Sequence, residues 1–340
     1  MSDRHIEGAS VDDILHDTFD LLRNKGSKHE ATKGVFIEYD SCLITLTNPV
    51  ARLSRTDIKQ TIYSCLGEFF WYLSGSQASE FISYYLKDYK NYAESDGNVH
   101  GAYGKRIFDY DGKFNQFEQV LNRLKEKPTT RQAVIQLFGA QDTARNYKDI
   151  PCTLSWQFMI RHGKLNMYVN MRSNDAYKGL PHDIFVFTMI QEIIALEMEV
   201  QVGHYHHYVG SLHLYEENLD DVERFVSKGF TDQAPVMAEM PKISDFASIK
   251  MEVLKYEELI RSNQVTLSQI TEASLPKYWI DILLLLFSFS QKREFAKDRL
   301  EIGGYVESLN KIKAQFECPN YESILETKIQ AERCKYSQGV

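Results

Sequence analysis

The sequence predicts an α+β protein over its first two-thirds and a mainly helical last third. Three observations point there. Hydrophobic residues make up 43 % and charged residues 25 % of the 340 residues, the mix of a globular chain with a sizeable core. Stretches of helical period and of strand-like alternation are interleaved as far as about Asp220. Beyond that point strand signals nearly vanish. The chain therefore divides at 225/226, with 226–340 expected to pack on the core as a helical extension.

Each element has its own signal. Val11–Lys25 places Val11, Ile14, Leu15, Phe19 and Leu22 at helical spacing, whereas Val35–Leu46 is rich in β-branched and aromatic residues. Asp57–Leu73 returns to a helical period and stops at Ser74-Gly75; Phe114–Lys125 is amphipathic and stops before Pro128. Three strands are expected over Ala133–Phe138, Leu154–Ile160 and Leu165–Arg172. In the last, Leu165, Met167, Val169 and Met171 alternate with Asn166, Tyr168, Asn170 and Arg172, as in a strand lining a polar site. Ile184–Met198 reads as a long apolar helix and Val200–Tyr215 as a strand. Lys250–Ile260, Pro276–Leu300 and Val306–Phe316 read as helices of the extension, with Trp279–Phe289 a buried helix rather than a membrane contact.

Composition narrows the function classes. The net charge, 39 − 47 = −8, argues against a nucleic-acid polymer as partner but leaves room for a small anion held by a few Arg side chains. Five scattered cysteines without a CxxC pair suit a reducing compartment rather than a zinc ribbon or a disulfide framework. No signal peptide is visible in MSDRHIEGAS, and the longest apolar run, Tyr278–Phe289, falls short of a bilayer span. A cytoplasmic protein without membrane contact is expected. His204, His206, His207 and His213 lack a carboxylate or thiol at ligand spacing, so no metal is expected.

Chemistry concentrates in two segments. Asp149-Ile-Pro-Cys152-Thr opens a strand with a lone Cys, either a small buried hydrophobe or a nucleophile. Arg172-Ser-Asn-Asp-Ala-Tyr-Lys-Gly-Leu-Pro-His-Asp183 follows; Arg172 and Ser173 at a strand end can hold a phosphate. Read alone, this is also an ordinary strand–turn–helix connection with Asp183 as the helix N-cap.

Together these segments resemble the thymidylate synthase family. Its Pro-Cys nucleophile, its Arg-Ser-x-Asp-x-x-x-Gly-Leu-Pro-x-Asn segment and its His-x-Tyr strand end have counterparts in Pro151-Cys152, Arg172–Asp183 and Gly210-Ser-Leu-His213-Leu-Tyr215. Gly67-Glu68-Phe-Phe-Trp71-Tyr-Leu-Ser-Gly75 resembles the family's helix bearing a catalytic Glu. Ala102-Tyr103-Gly104-Lys105 and Thr130-Arg131-Gln132 resemble two further motifs, all in the same order over roughly residues 11–220.

The resemblance implies a thymidylate synthase-like mixed sheet packed with helices, and assigns roles. Cys152 would add to C6 of a pyrimidine, making C5 nucleophilic toward the one-carbon unit of 5,10-methylenetetrahydrofolate. Glu68 would relay ring protons and activate water, with Tyr103 and Asp175 completing the catalytic set. Arg172, Ser173, Asp183, His213, Tyr215, Arg131 and Lys33 would bind the nucleoside monophosphate; Tyr89, Asp175 and Gly179 would bind the folate. A homodimer is implied, in which Arg131 reaches the partner's phosphate site.

Departures from the family pattern sharpen the expectation. Asp183 stands where the family has Asn, whose amide reads uracil; a carboxylate suits cytosine instead. Tyr89 stands where thymidylate synthases have a Trp that shields an exocyclic methylene, leaving room for water. The N-terminal phosphate Arg is missing from Glu30–Gly34, so Arg23, Lys28 or Lys33 would substitute. These features imply a cytidylate 5-hydroxymethylase, with the extension favouring CMP over dCMP. Alternatives are a thymidylate synthase or uridylate-modifying homologue, and a non-catalytic nucleotide-binding scaffold.

Overall fold

The computed structural model describes residues 4–31, 34–54, 62–229, 237–242, 245–298 and 302–337; Lys33 and the start of the helix expected from Asp57 lie outside them. The chain folds as two compact units, Met1–Met237 and Ala238–Val340.

The first unit is built on one mixed sheet. Its strands are β1 (His5–Gly8), β2 (Ser27–Ala31), β3 (Gly34–Leu46), β4 (Val134–Gln136), β5 (Thr153–Arg161), β6 (Lys164–Asp175) and β7 (Gln201–Tyr215). They run in the order β1-β3-β7-β6-β5-β4, with β2 also on β3. The parallel pair β6 and β7 needs a crossover, and the long apolar segment between them supplies it as α6 (Gly179–Glu197). That helix is buried on nearly all sides. It is long and apolar enough to span a bilayer, yet 78 % of that stretch is buried inside the protein. Around the sheet lie α1 (Val11–Lys25), α2 (Ile62–Ser74), α3 (Ser79–Tyr85), α4 (Tyr103–Phe108), α5 (Gln116–Glu126) and α7 (Leu219–Ser227).

Local chemistry explains the boundaries. Ser10 and Asp13 form a capping box at the start of α1, which buries Val11, Ile14, Leu15, Phe19 and Leu22 as the spacing predicts. Gly75, at φ +68°, takes the left-handed turn that ends α2. β6 buries Leu165, Met167, Val169 and Met171. Its other face departs from expectation. Asn166 and Tyr168 serve the neighbouring strand, Asn166 Oδ1 accepting from the His204 N–H at 2.8 Å and Tyr168 stacking on His206. Only the end of β6 reaches the candidate site.

α6 starts earlier than the sequence predicts. The helix begins at Gly179, with Lys178 at the N-cap, five residues before the expected start. Gly-Leu-Pro looks like a turn in sequence, but proline is tolerated in a first helical turn, where no N–H partner is needed. Asp183 is therefore not a cap; it sits one turn inside. Deeper along α6, Glu192 forms a fully buried ion pair with Arg52.

Among the described residues of the second unit, the regular elements are all helices: α8 (Phe246–Arg261), α9 (Leu267–Thr271), α10 (Lys277–Asp298), α11 (Ile302–Lys313) and α12 (Pro319–Ser337). α10 buries Trp279 and Ile282–Leu286. Asp281, which interrupts that apolar run, is buried too and accepts from the N–H groups of Glu317 (3.2 Å) and Cys318 (2.9 Å), just ahead of α12. The polar-looking α12 was not legible as a helix; it buries Tyr321, Leu325 and Ile329.

Candidate active site

A carboxylate in an apolar helix is the first unusual feature. Glu68 is 6 % exposed in the middle of α2. Tyr72, one turn along, and Tyr89 both donate their hydroxyls to Oε1 of Glu68 at 3.1 Å. Burial outweighs these two bonds and lifts the Glu68 carboxyl to about 7. Burial also pushes both phenols far up, helped by the Glu68 charge, so they remain donors. A group poised near neutrality can both give and take a proton.

The nucleophile candidate lies on a clamped loop. Cys152 is partly exposed, whereas Cys42 is buried and its thiol is pushed up to about 12, where it is inert. Arg172 holds the Cys152 loop from β6: its backbone N–H donates to Cys152 O (2.9 Å), Nε to Pro151 O and Nη2 to Ile150 O (both 3.0 Å). Tyr103 accepts from the Thr153 N–H at 2.9 Å; burial and then the field of Cys152 raise its pKa, so the phenol keeps its proton. Tyr72 and Tyr103 rings lie 5.3 Å apart, joining the Glu68 and Cys152 ends of the site.

The ends of β6 and β7 form the next part. Ser173 Oγ lies 3.4 Å from His213 Nδ1, and the His213 ring meets Tyr215 edge-on at 5.3 Å. Asp175 Oδ1 accepts from the N–H groups of Tyr177 (2.8 Å) and Lys178 (3.0 Å), closing the turn into α6. The other carboxylate oxygen, Oδ2, is an acceptor by its chemistry, able to take an N–H donor. Gly179 is needed here for space: a Cβ would sit 2.5 Å from Asn174 Oδ1.

Asp183 faces this group from α6. It accepts from Asn174 Nδ2 at 3.0 Å. The protein packed around it, and then the Glu68 charge, push its carboxyl well above the usual range, with the Asn174 bond opposing. Asn174, Tyr72 and Asp149 were not singled out from sequence. Tyr72 was legible, four residues from Glu68 on one helix. Asp149 acts on Glu68 through its charge, and no local pattern announces that.

Other expected residues are not drawn in. Arg131 is exposed beside β4, where its carbonyl accepts from Gln157 Nε2. Of the alternatives for the phosphate, Arg23 pairs with Glu223 and Lys28 with Glu216, and Lys33 lies outside the described residues. Among the described residues, no three His, Cys, Asp or Glu gather as a metal site.

Comparison with known proteins identifies the family. The thymidylate synthase family matches residues 23–267. The thymidylate synthase of Bacillus subtilis subsp. natto is 25 % identical over 206 residues, 59 % of this chain and 71 % of that protein. The deoxyuridylate hydroxymethyltransferase of Bacillus phage SP01 is 27 % identical over 248 residues, 66 % of this chain. The match covers 62 % of the phage enzyme, less than two thirds of its length. A family match across most of the chain, on a mixed sheet packed with helices, makes this chain a member of the thymidylate synthase family, one-carbon transferases that bind a pyrimidine nucleotide and methylenetetrahydrofolate.

Proposed function

We propose that the chain is a folate-dependent cytidylate 5-hydroxymethylase, transferring a one-carbon unit to C5 of CMP, in preference to dCMP, and completing it with water. The observation that carries this is Asp183, a carboxyl held inside the site by Asn174 where the family pattern has an amide. A neutral carboxyl both donates and accepts, and cytosine offers an N3 acceptor beside an amine donor. Uracil offers the reverse order, and an unpaired buried polar group costs about 1–3 kcal/mol.

The residues then have defined work. Methylenetetrahydrofolate supplies the one-carbon unit, and Asp175 Oδ2 with Gly179 would hold it. Cys152 adds to C6 and later leaves. Tyr103 donates beside Cys152, while Arg172 keeps the loop and the phosphate end in register. Ser173, His213 and Tyr215 take the sugar and phosphate. Glu68 takes the proton from the attacking water, its lone pair aimed by Tyr72 and Tyr89. The hydroxyl of Tyr89, where an indole would repel water, supports water as the final acceptor. The preference for CMP rests on the resemblance of the helical extension to the longer CMP-modifying members. The enzyme works as a homodimer, Arg131 reaching the phosphate site of the partner subunit.

The phage relative's name favours one rival, a deoxyuridylate substrate. Turnover of CMP, dCMP, UMP and dUMP with methylenetetrahydrofolate, followed by product mass and folate absorbance, separates them. The expected result is a 5-hydroxymethylcytosine nucleotide with tetrahydrofolate released. Preference for a uracil nucleotide would overturn the cytidylate reading, and stoichiometric dihydrofolate would overturn water as the acceptor.

A further inference from the structure

A carboxyl group alone does not tell cytosine from uracil. Ionised, it accepts from the exocyclic amine of one base or from N3–H of the other. Protonated, it is a donor–acceptor pair whose proton can sit on either oxygen. One placement matches cytosine and the other matches uracil. Whatever fixes the proton fixes the base.

We infer that Asn174 is the positioning residue that makes this choice: by donating to Asp183 Oδ2 it keeps that oxygen an acceptor for the amine of cytosine and confines the carboxyl proton to Oδ1, facing N3. This rests on the cytidylate reading above. An oxygen already accepting from Asn174 has a second lone pair for the amine, whereas a proton on it would meet the Asn174 N–H head-on.

The surroundings of Asn174 hold its amide in that sense. It is 3 % exposed, so water cannot replace its bonds. Nδ2 lies 3.3 Å from Met171 Sδ, an acceptor only, which places the NH2 side toward Met171 and Asp183. His207 Nε2 lies 3.4 Å from the same nitrogen; burial lowers His207 to about 3, so the ring is neutral and brings no competing charge. His207 is itself fixed by the Tyr205 hydroxyl, 2.7 Å from Nδ1. On the far side, Asn174 Oδ1 fills the space that a side chain at Gly179 would need. The amide is wedged, and Asp183 inherits its orientation.

The test is kcat/KM for CMP against UMP, and dCMP against dUMP, in wild type, Asn174→Ala and Asn174→Leu. Both variants should lower the cytosine-to-uracil ratio by about ten- to a hundredfold, with uracil nucleotides gaining in absolute rate. Equal slowing on both bases would mean a merely structural role and overturn the inference. A wild type without cytosine preference would instead overturn the cytidylate reading, a distinct result. Should the variants not fold, wild type without folate is titrated with CMP labelled with 15N at N3. Its resonance should move upfield on binding, as for a nitrogen accepting an O–H; an unmoved resonance overturns the inference.

Discussion

Replacing Glu68 by Gln removes the only charge that α2 carries into the core. Both phenols donate to the same oxygen, Oε1, so the amide oxygen of Gln can accept from both, and little packing is lost. Burial holds the Glu68 carboxyl at about 7 against an ordinary value of 4.5. The folded state therefore favours the protonated acid. Its contribution to stability is full below the unfolded pKa, declines as pH rises, and is lost once pH passes the folded value. With each pKa unit equivalent to about 1.4 kcal/mol, the stability of wild type should fall by roughly 2 kcal/mol between about pH 5.5 and pH 8.5 from this group alone. Gln does not titrate, so the variant should gain that amount relative to wild type across the same interval. Urea denaturation of both proteins at four or five pH values measures it, and the change in midpoint at constant slope gives the free energy. The same variant should lose about 10²–10⁴-fold in turnover, the usual worth of a general acid–base. A stability difference that is flat with pH would refute the burial argument. An unimpaired rate would refute the role of Glu68.

Three further outcomes follow from the same geometry. Tyr89→Phe removes a bond that lowers the Glu68 pKa, so the limb of the pH–rate profile governed by Glu68 should move to higher pH, while the ring contact with Trp71 persists. Cys152→Ala should abolish both product and exchange of the C5 proton without altering thermal stability, because Cys152 lies partly exposed; normal exchange would exclude it as the nucleophile. Arg52→Met should cost about 3–5 kcal/mol by removing the cation paired with the buried Glu192 carboxylate, and the double variant Arg52→Met, Glu192→Met should recover most of it in thermal melts.

The sequence by itself determined the order of the elements and the motifs placed on them. Periodicity is local, and α1, β3, β7 and α10 follow it because each must bury one face or all of its surface. Pro151-Cys152 and Arg172–Asp183 were legible because each role needs a fixed residue type at fixed spacing. Tertiary structure decided the rest. Tyr89 lies 21 residues from Glu68, and the two meet only once the chain has folded back. Whether Asp183 caps a helix or faces a site turned on where α6 begins, which proline's tolerance in a first turn leaves open locally. The Asn174 bond that holds Asp183 exists because β6 ends beneath the first turns of α6. Proton affinities are likewise collective: Glu68 holds its proton up to about pH 7 and the Asp183 carboxyl is pushed well above the usual carboxylate range because the surrounding protein removes their water, and no window of sequence contains that information.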